Sequence, residues 1–130
     1  MKTEKITTGM VRNLPEACTS HEVRRMLAVS GFDRLYDYLY IPHDFKTGNS
    51  KGVAFINFIY PDAYIAFKNS WHGSRWFPES RENRGLQIKE AHIQGSRANA
   101  LKAAKCAETV RNESFRPFFA GNLKTYPPPR

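Results

Sequence analysis

The chain has 130 residues, 41% of them hydrophobic, which is enough for one domain with its own core and sets it apart from a disordered tail. Its 20 Lys and Arg outnumber 12 Asp and Glu for a net charge of +8, and residues 97–130 hold seven of the former against two of the latter, so most of the excess lies in the last quarter, a balance that suits a polyanionic partner. Cys18 and Cys106 have neither metal nor redox spacing, and with no secretory leader and no apolar run near the roughly 20 residues of a membrane span, the expectation is an intracellular chain, nuclear or cytoplasmic, without disulfides.

Residues 1–7 are polar and read as a flexible lead-in. Thr8 to Arg12 reads as a short strand stopped by Asn13-Leu14-Pro15, with Val11 facing the core and Met10 and Arg12 sharing the other side. Thr19-Ser20-His21-Glu22 has capping-box spacing, and Val23, Met26 and Leu27 follow at i, i+3 and i+4 up to Gly31, which predicts a first helix. From Leu35 to Ile41 a second strand alternates Leu35, Asp37, Leu39 and Ile41 against Tyr36, Tyr38 and Tyr40. The first set should be core, yet it contains a carboxylate; either three tyrosines stand on the outer face or a bulge turns one or two inward. Turn formers fill His43 to Ser50, and Lys46 and Lys51 flank the entry to a third strand ending at Phe58. Pro61-Asp62 opens a second helix with Ala63, Ala66 and Phe67 on one face, ending near Gly73. Residues 74–85 read as a long loop, Leu86 to Ile93 as a fourth strand, and Arg97 to Asn112 as a third helix whose Ala100, Ala103, Ala104, Ala107 and Val110 share one face. Phe115 to Phe119 is extended, and the proline-rich end reads as a flexible tail.

The order strand, helix, strand, strand, helix, strand predicts an α+β, ferredoxin-like βαββαβ fold: a four-stranded antiparallel sheet with two helices on one face, plus the added C-terminal helix. Its chemistry centres on Lys51-Gly52-Val53-Ala54-Phe55-Ile56-Asn57-Phe58. This fits the RNA-recognition octamer (basic, Gly, aromatic, Gly or Ala, aromatic, apolar, any, aromatic) everywhere except at Val53, which stands in an aromatic slot. Alternation puts Ala54, Ile56 and Phe58 on one side and Val53, Phe55 and Asn57 on the other, and the polar Asn57 marks that second side as open. The expected boundaries are 1–7 for the lead-in, 8–96 for the RNA-recognition motif (RRM), 97–119 for the helix and Arg-Pro segment packed on it, and 120–130 for the tail.

Asn13-Leu14-Pro15, Tyr36 to Pro42 with Asp44-Phe45, Ala54 to Phe58, Gly73 with Trp76, Ala91-His92-Ile93-Gln94-Gly95, and Arg116-Pro117-Phe118-Phe119 resemble the C-terminal RNA-recognition motif of the Mei-two-like family, regulators of meiosis and development in fungi and plants. The resemblance spans about residues 8–119, and its distinctive part is Ile93-Gln94-Gly95 leading into the added helix. It implies single-stranded RNA as the partner, no cofactor and no catalysis. A sheet of this kind stacks bases on strand aromatics while basic side chains hold phosphates, which nominates Phe55, Met10, Val53, Asn57, Tyr36, Tyr38 and Tyr40 for bases and Arg12, Lys46, Lys51, Lys102 and Lys105 for phosphates. With Met10 and Val53 in two of three usual aromatic slots, the expected affinity is modest. The alternative is a module that binds a protein partner; single-stranded DNA is a lesser variant. The chain is expected to be a monomer with no membrane contact. Among His21, His43, His72 and His92 no metal spacing occurs, and no nucleophile or phosphate loop is recognisable, which argues against an enzyme. The third helix is expected to pack on the sheet, at its edge in preference to over its open face.

Overall fold

The elements run β1 (Thr8–Arg12), α1 (Ser20–Val29), β2 (Tyr36–Tyr40), β3 (Val53–Phe58), α2 (Pro61–Trp71), β4 (Gln87–Glu90), α3 (Ser96–Ala103) and β5 (Phe118–Phe119). The computed structural model describes residues 5–77, 84–106, 109 and 116–120. Residues 1–4, the middle of the loop expected at 74–85 (78–83), Ala107, Val110, Asn112, Phe115 and the tail from 121 lie outside the described residues.

The strands form one antiparallel sheet in the order β4-β1-β3-β2-β5. The expected four strands are therefore joined by a fifth. Phe118 and Phe119 pair with Leu39 and Tyr38, and the Arg24 guanidinium stacks on the Phe118 ring at 3.7 Å. The core lies between the sheet and α1 and α2. Val11, Leu39, Ala54, Ile56, Phe58 and Ile88 meet Val23 and Leu27 of α1 and Tyr64, Phe67 and Trp71 of α2, with Phe58 and Phe67 ring centroids 4.7 Å apart. The α2 stripe is thus rotated from the expected one, since Ala66 is exposed and Tyr64 and Trp71 are buried.

Local chemistry accounts for most boundaries. Thr19 caps α1 with a complete capping box: its Oγ1 accepts from Glu22 N–H, and Glu22 Oε1 accepts from Thr19 N–H. Pro61 supplies a preset first turn for α2. Gly9 has to be glycine on packing grounds, because a Cβ there would meet the Tyr64 ring at 2.6 Å. β4 is shorter than expected: Ala91 N–H still bonds to Thr8 O, after which the chain turns into α3. The expected flexible lead-in is not free at its inner end. Thr7 O accepts from Phe58 N–H at 2.8 Å and Ile6 packs against the core.

Candidate nucleic-acid interface

The face of the sheet turned away from α1 and α2 is built in rows fixed by strand register. Arg12 pairs with Val53 and Gln87; Met10 pairs with Phe55 and Lys89, and Phe55 with Tyr40; Thr8 pairs with Asn57, which pairs with Tyr38, which pairs with Phe119. Val53, Phe55, Met10 and Tyr40 are half-buried, while Arg12, Gln87 and Lys89 are exposed. Lys89 and Gln87 were not among the expected contacts. Their alternation with buried Leu86 and Ile88 is the signal that places them on this face.

Tyr36 does not belong here. The register shifts between Tyr36 and Tyr38, so Tyr36 pairs with Phe58 on the core side, is 5% exposed and packs near Phe118 with centroids 6.0 Å apart. One residue absorbed at a bulge turns Tyr36 to the core alongside Leu39 and leaves Tyr38 and Tyr40 on the other face. Asp37 sits at that irregularity. Burial pushes its carboxyl up, and the hydrogen bond from Asn57 partly opposes this. Tyr38 is fully covered, its ring 5.4 Å from Phe119, and burial, with a smaller contribution from Tyr40, raises its phenol.

Asn57, expected as an open-face contact, is also corrected: it is 5% exposed. Its Oδ1 accepts from the Thr7 and Thr8 hydroxyls at 2.8 and 2.6 Å, and its Nδ2 donates to Asp37 Oδ1 at 2.9 Å. A polar side chain with its bonds supplied by neighbouring strands is at home inside, and this one is turned to its neighbours and not to the open face. Gln94 extends the network. Its Oε1 accepts from the backbone N–H of Thr7 and Thr8, its Nε2 donates to Thr8 O and Ala91 O, and Gly95 N–H donates to Thr8 Oγ1. These bonds fasten the start of α3 to β1, where Gly95 takes a φ of 94° that a side chain would disfavour.

From that anchor α3 runs over the face, not along the edge as expected. Ala100 and Ala103 are buried, and Asn99 Nδ2 donates to Ile93 O and Gly95 O, bracing the first turn. Further on, Tyr40 Oη and Thr109 Oγ1 lie 3.2 Å apart, and either can donate. Between helix and sheet is a cavity of about 370 Å³. Met10, Tyr38, Tyr40 and Phe55 form its floor; Asn99, Lys102, Ala103 and Cys106 form its roof. Pro42, His92 and Ile93 complete the walls. Of the other nominated cations, Lys51 is exposed beside the start of β3, Lys46 in the preceding loop and Lys105 just beyond α3, so none of the three lines the cavity. Among the described residues no group of His, Cys, Asp and Glu could hold a metal ion, and no helix is long and apolar enough to cross a membrane.

The sequence model described as RNA recognition motif 2 matches residues 6–104. Protein MEI2-like 1 of Arabidopsis thaliana is 35% identical over 117 residues, covering 87% of this chain and 12% of that protein. Protein MEI2-like 2 of Oryza sativa subsp. japonica is 34% identical over 129 residues, covering 93% and 15%. The Meiosis protein mei2 of Schizosaccharomyces pombe is 32% identical over 111 residues, covering 85% and 14%. The chain therefore spans only a small part of the length of these relatives. Among solved structures, the Rna15 RRM with bound RNA (GU) superposes with a TM-score of 0.56 at 18% identity, over 76% of this chain and 97% of that one. A second, the sex-lethal protein/RNA complex, gives 0.54 at 26% identity, over 69% and 49%.

Proposed function

The chain belongs to the RNA recognition motif 2 family, alongside the MEI2-like proteins, and on that premise we propose that it binds single-stranded RNA on the sheet face that carries Met10, Val53 and Phe55. One observation carries the reading most. Phe55 lies half-exposed at the centre of a face free of α1 and α2, with Arg12 and Lys89 in adjoining register positions. A base stacks on Phe55, Met10 adds a flat polarizable contact, and the backbone runs past Arg12, Lys51 and Lys89 as phosphates, with Lys46 and Lys105 as outer cations and Lys102 at the cavity under α3. Because Val53 offers no ring and Tyr38 is already packed on Phe119, few aromatic stacks are on hand and the affinity is modest. The module binds and performs no reaction. By likeness to relatives named for meiosis, its role is regulatory, inside the cell and at the level of RNA.

A fluorescence-anisotropy titration against random single-stranded RNA at several salt concentrations tests this. Log K should fall linearly with log salt, by about 0.7 per phosphate contact. Phe55→Ala should weaken binding about 5- to 150-fold, the equivalent of one stack of about 1–3 kcal/mol, with little change in melting temperature. Absence of binding, or an affinity indifferent to salt, would remove RNA in favour of a protein partner.

A further inference from the structure

We propose that the cleft beside the first turns of α2, on the layer of the molecule away from Met10 and Phe55, docks an extended, near-neutral segment of a partner protein through a large apolar side chain. Its place is set by the strand ends. Ile6 and Leu35 precede β1 and β2, Glu90 closes β4, and Tyr60, Pro61 and Ile65 bring the start of α2 beside them. The space is about 1010 Å³, at the upper end of the roughly 300–1,000 Å³ of small-molecule pockets, and it shares no residue with the cavity under α3. Ile6, Leu35, Pro61 and Ala63 give it apolar walls, and Tyr60 and Ile65 stand 59% and 55% exposed there. Exposed apolar side chains are ordinary when scattered, but adjoining ones mark an interaction site.

A second observation points to an occupant. Tyr64 is 4% exposed and lines the cleft, yet its hydroxyl has no hydrogen-bond partner among the described residues. Its ring is held close, against Gly9 on one side, where even a Cβ would come within 2.6 Å, and with the Phe58 ring centroid 6.5 Å away. Phenylalanine would supply the same ring without the cost of a buried, unpaired hydroxyl, so the oxygen serves a group that arrives from outside. Burial, and after it the Glu90 carboxylate, raise this phenol, so it keeps its proton and donates at neutral pH. A main-chain carbonyl of a docked peptide is the matching acceptor.

Charge decides between protein and nucleic acid. Lys5 and Lys68 line the cleft together with Asp62 and Glu90, two cations against two anions, on a chain whose net charge is +8. A polyanion gains from cations and loses to carboxylates, so this rim offers RNA no net attraction. A near-neutral peptide meets no such opposition, and polar groups flanking its apolar anchor find a partner of either sign.

The experiment selects short random peptides displayed on phage against the full chain, then follows an enriched peptide, synthesised, by amide NMR shifts. Enriched sequences should share a Leu, Ile, Met or Phe and carry a net charge near zero, and the peptide should shift Ile65, Lys68 and Asn69 but not Phe55. Ile65→Asp, at an exposed position that keeps the fold, should weaken the peptide about tenfold by setting a carboxylate against its apolar anchor. Tyr64→Phe should weaken it about two- to tenfold, as the loss of one hydrogen bond does. The same variant should melt no lower than the parent, because the free chain gives that hydroxyl no partner. A lower melting temperature would put the partner inside the chain and overturn the argument. No enrichment over the Ile65→Asp control, selected peptides of high charge, or shifts centred on Phe55 would overturn it too. Saturating RNA should change peptide affinity by less than about twofold, and competition between the two would refute separate faces. If an RNA octamer itself shifts Ile65 and Lys68, the cleft belongs to nucleic acid; if raising the protein concentration alone does so, it belongs to a second copy. Either result overturns the proposal.

Discussion

Removing the Gln94 side chain should unfasten α3 from the sheet, and the cost follows from its bonds. Gln94→Ala deletes four hydrogen bonds of 2.8–3.0 Å, two from the N–H of Thr7 and Thr8 and two to the carbonyls of Thr8 and Ala91. Each such bond contributes about 0.5–1.5 kcal/mol net. Thr8 O keeps its bond from Ala91 N–H, and the site is only partly buried, so water replaces some of what is lost. The expected destabilisation is about 2–4 kcal/mol, a fall in melting temperature of about 8–15 °C for a domain of this size. Circular dichroism melts give the total, and amide hydrogen exchange gives its location: protection should drop first at Asn99, Ala103 and Ala104. Gln94→Glu sharpens the test. It keeps an acceptor for the two N–H groups but turns oxygen toward the two carbonyls, so it should be no more stable than Gln94→Ala. A melting temperature lowered by less than 3 °C, with α3 amides as protected as before, would refute the view that this side chain holds the helix down.

Ile56→Ala should cost about 2–5 kcal/mol in urea unfolding, since Ile56 is fully buried between the sheet and its helices, and a loss below 1 kcal/mol would put the core elsewhere. Asp37 should make stability fall with rising pH. Burial raises its folded-state pKa above the unfolded value of about 3.9, so the folded chain holds the proton more tightly; stability is greatest below that value and is lost as pH rises through the folded pKa. Asp37→Asn keeps an oxygen to accept from Asn57 and removes the buried charge, so urea titrations at pH 4 and pH 7 should find the variant gaining on the parent at pH 7; a relative loss there would refute the sign.

The strand pattern of the fold was legible because hydrophobic alternation and turn chemistry are local. The octamer placed Phe55 on one face and Ile56 on the other, and Thr19 with Glu22 announced the first helix to the residue. What escaped was long-range. Asn57 reads as a wet residue until Thr7, Thr8 and Asp37 are brought to it, since polarity is a cost only when a partner is missing. The conflict between Asp37 and the tyrosines was visible, but only pairing with β3 locates the irregularity that sends Tyr36 inward. Alanine spacing in α3 shows that the helix packs but not on what. The choice between edge and face is made by Gln94, whose role depends on backbone groups 86 and 87 positions away.

The fifth strand has a consequence for association. A sheet's outermost strand presents unpaired N–H and C=O groups that invite a further chain to add to it. Here β5 occupies that position against β2, and Ala120 N–H continues the pairing to Asp37 O at 3.1 Å. Any peptide, or a second copy of this protein, that sought the backbone of β2 would first have to evict Phe118 from under Arg24 and Phe119 from beside Tyr38. At the opposite rim β4 is only four residues long, with Lys89 and Glu90 exposed, and charge on so short a strand discourages stacking into fibres. The sheet is thus shielded at one rim by main chain and at the other by charge, which leaves the part of its broad face not roofed by α3 as the surface open to partners.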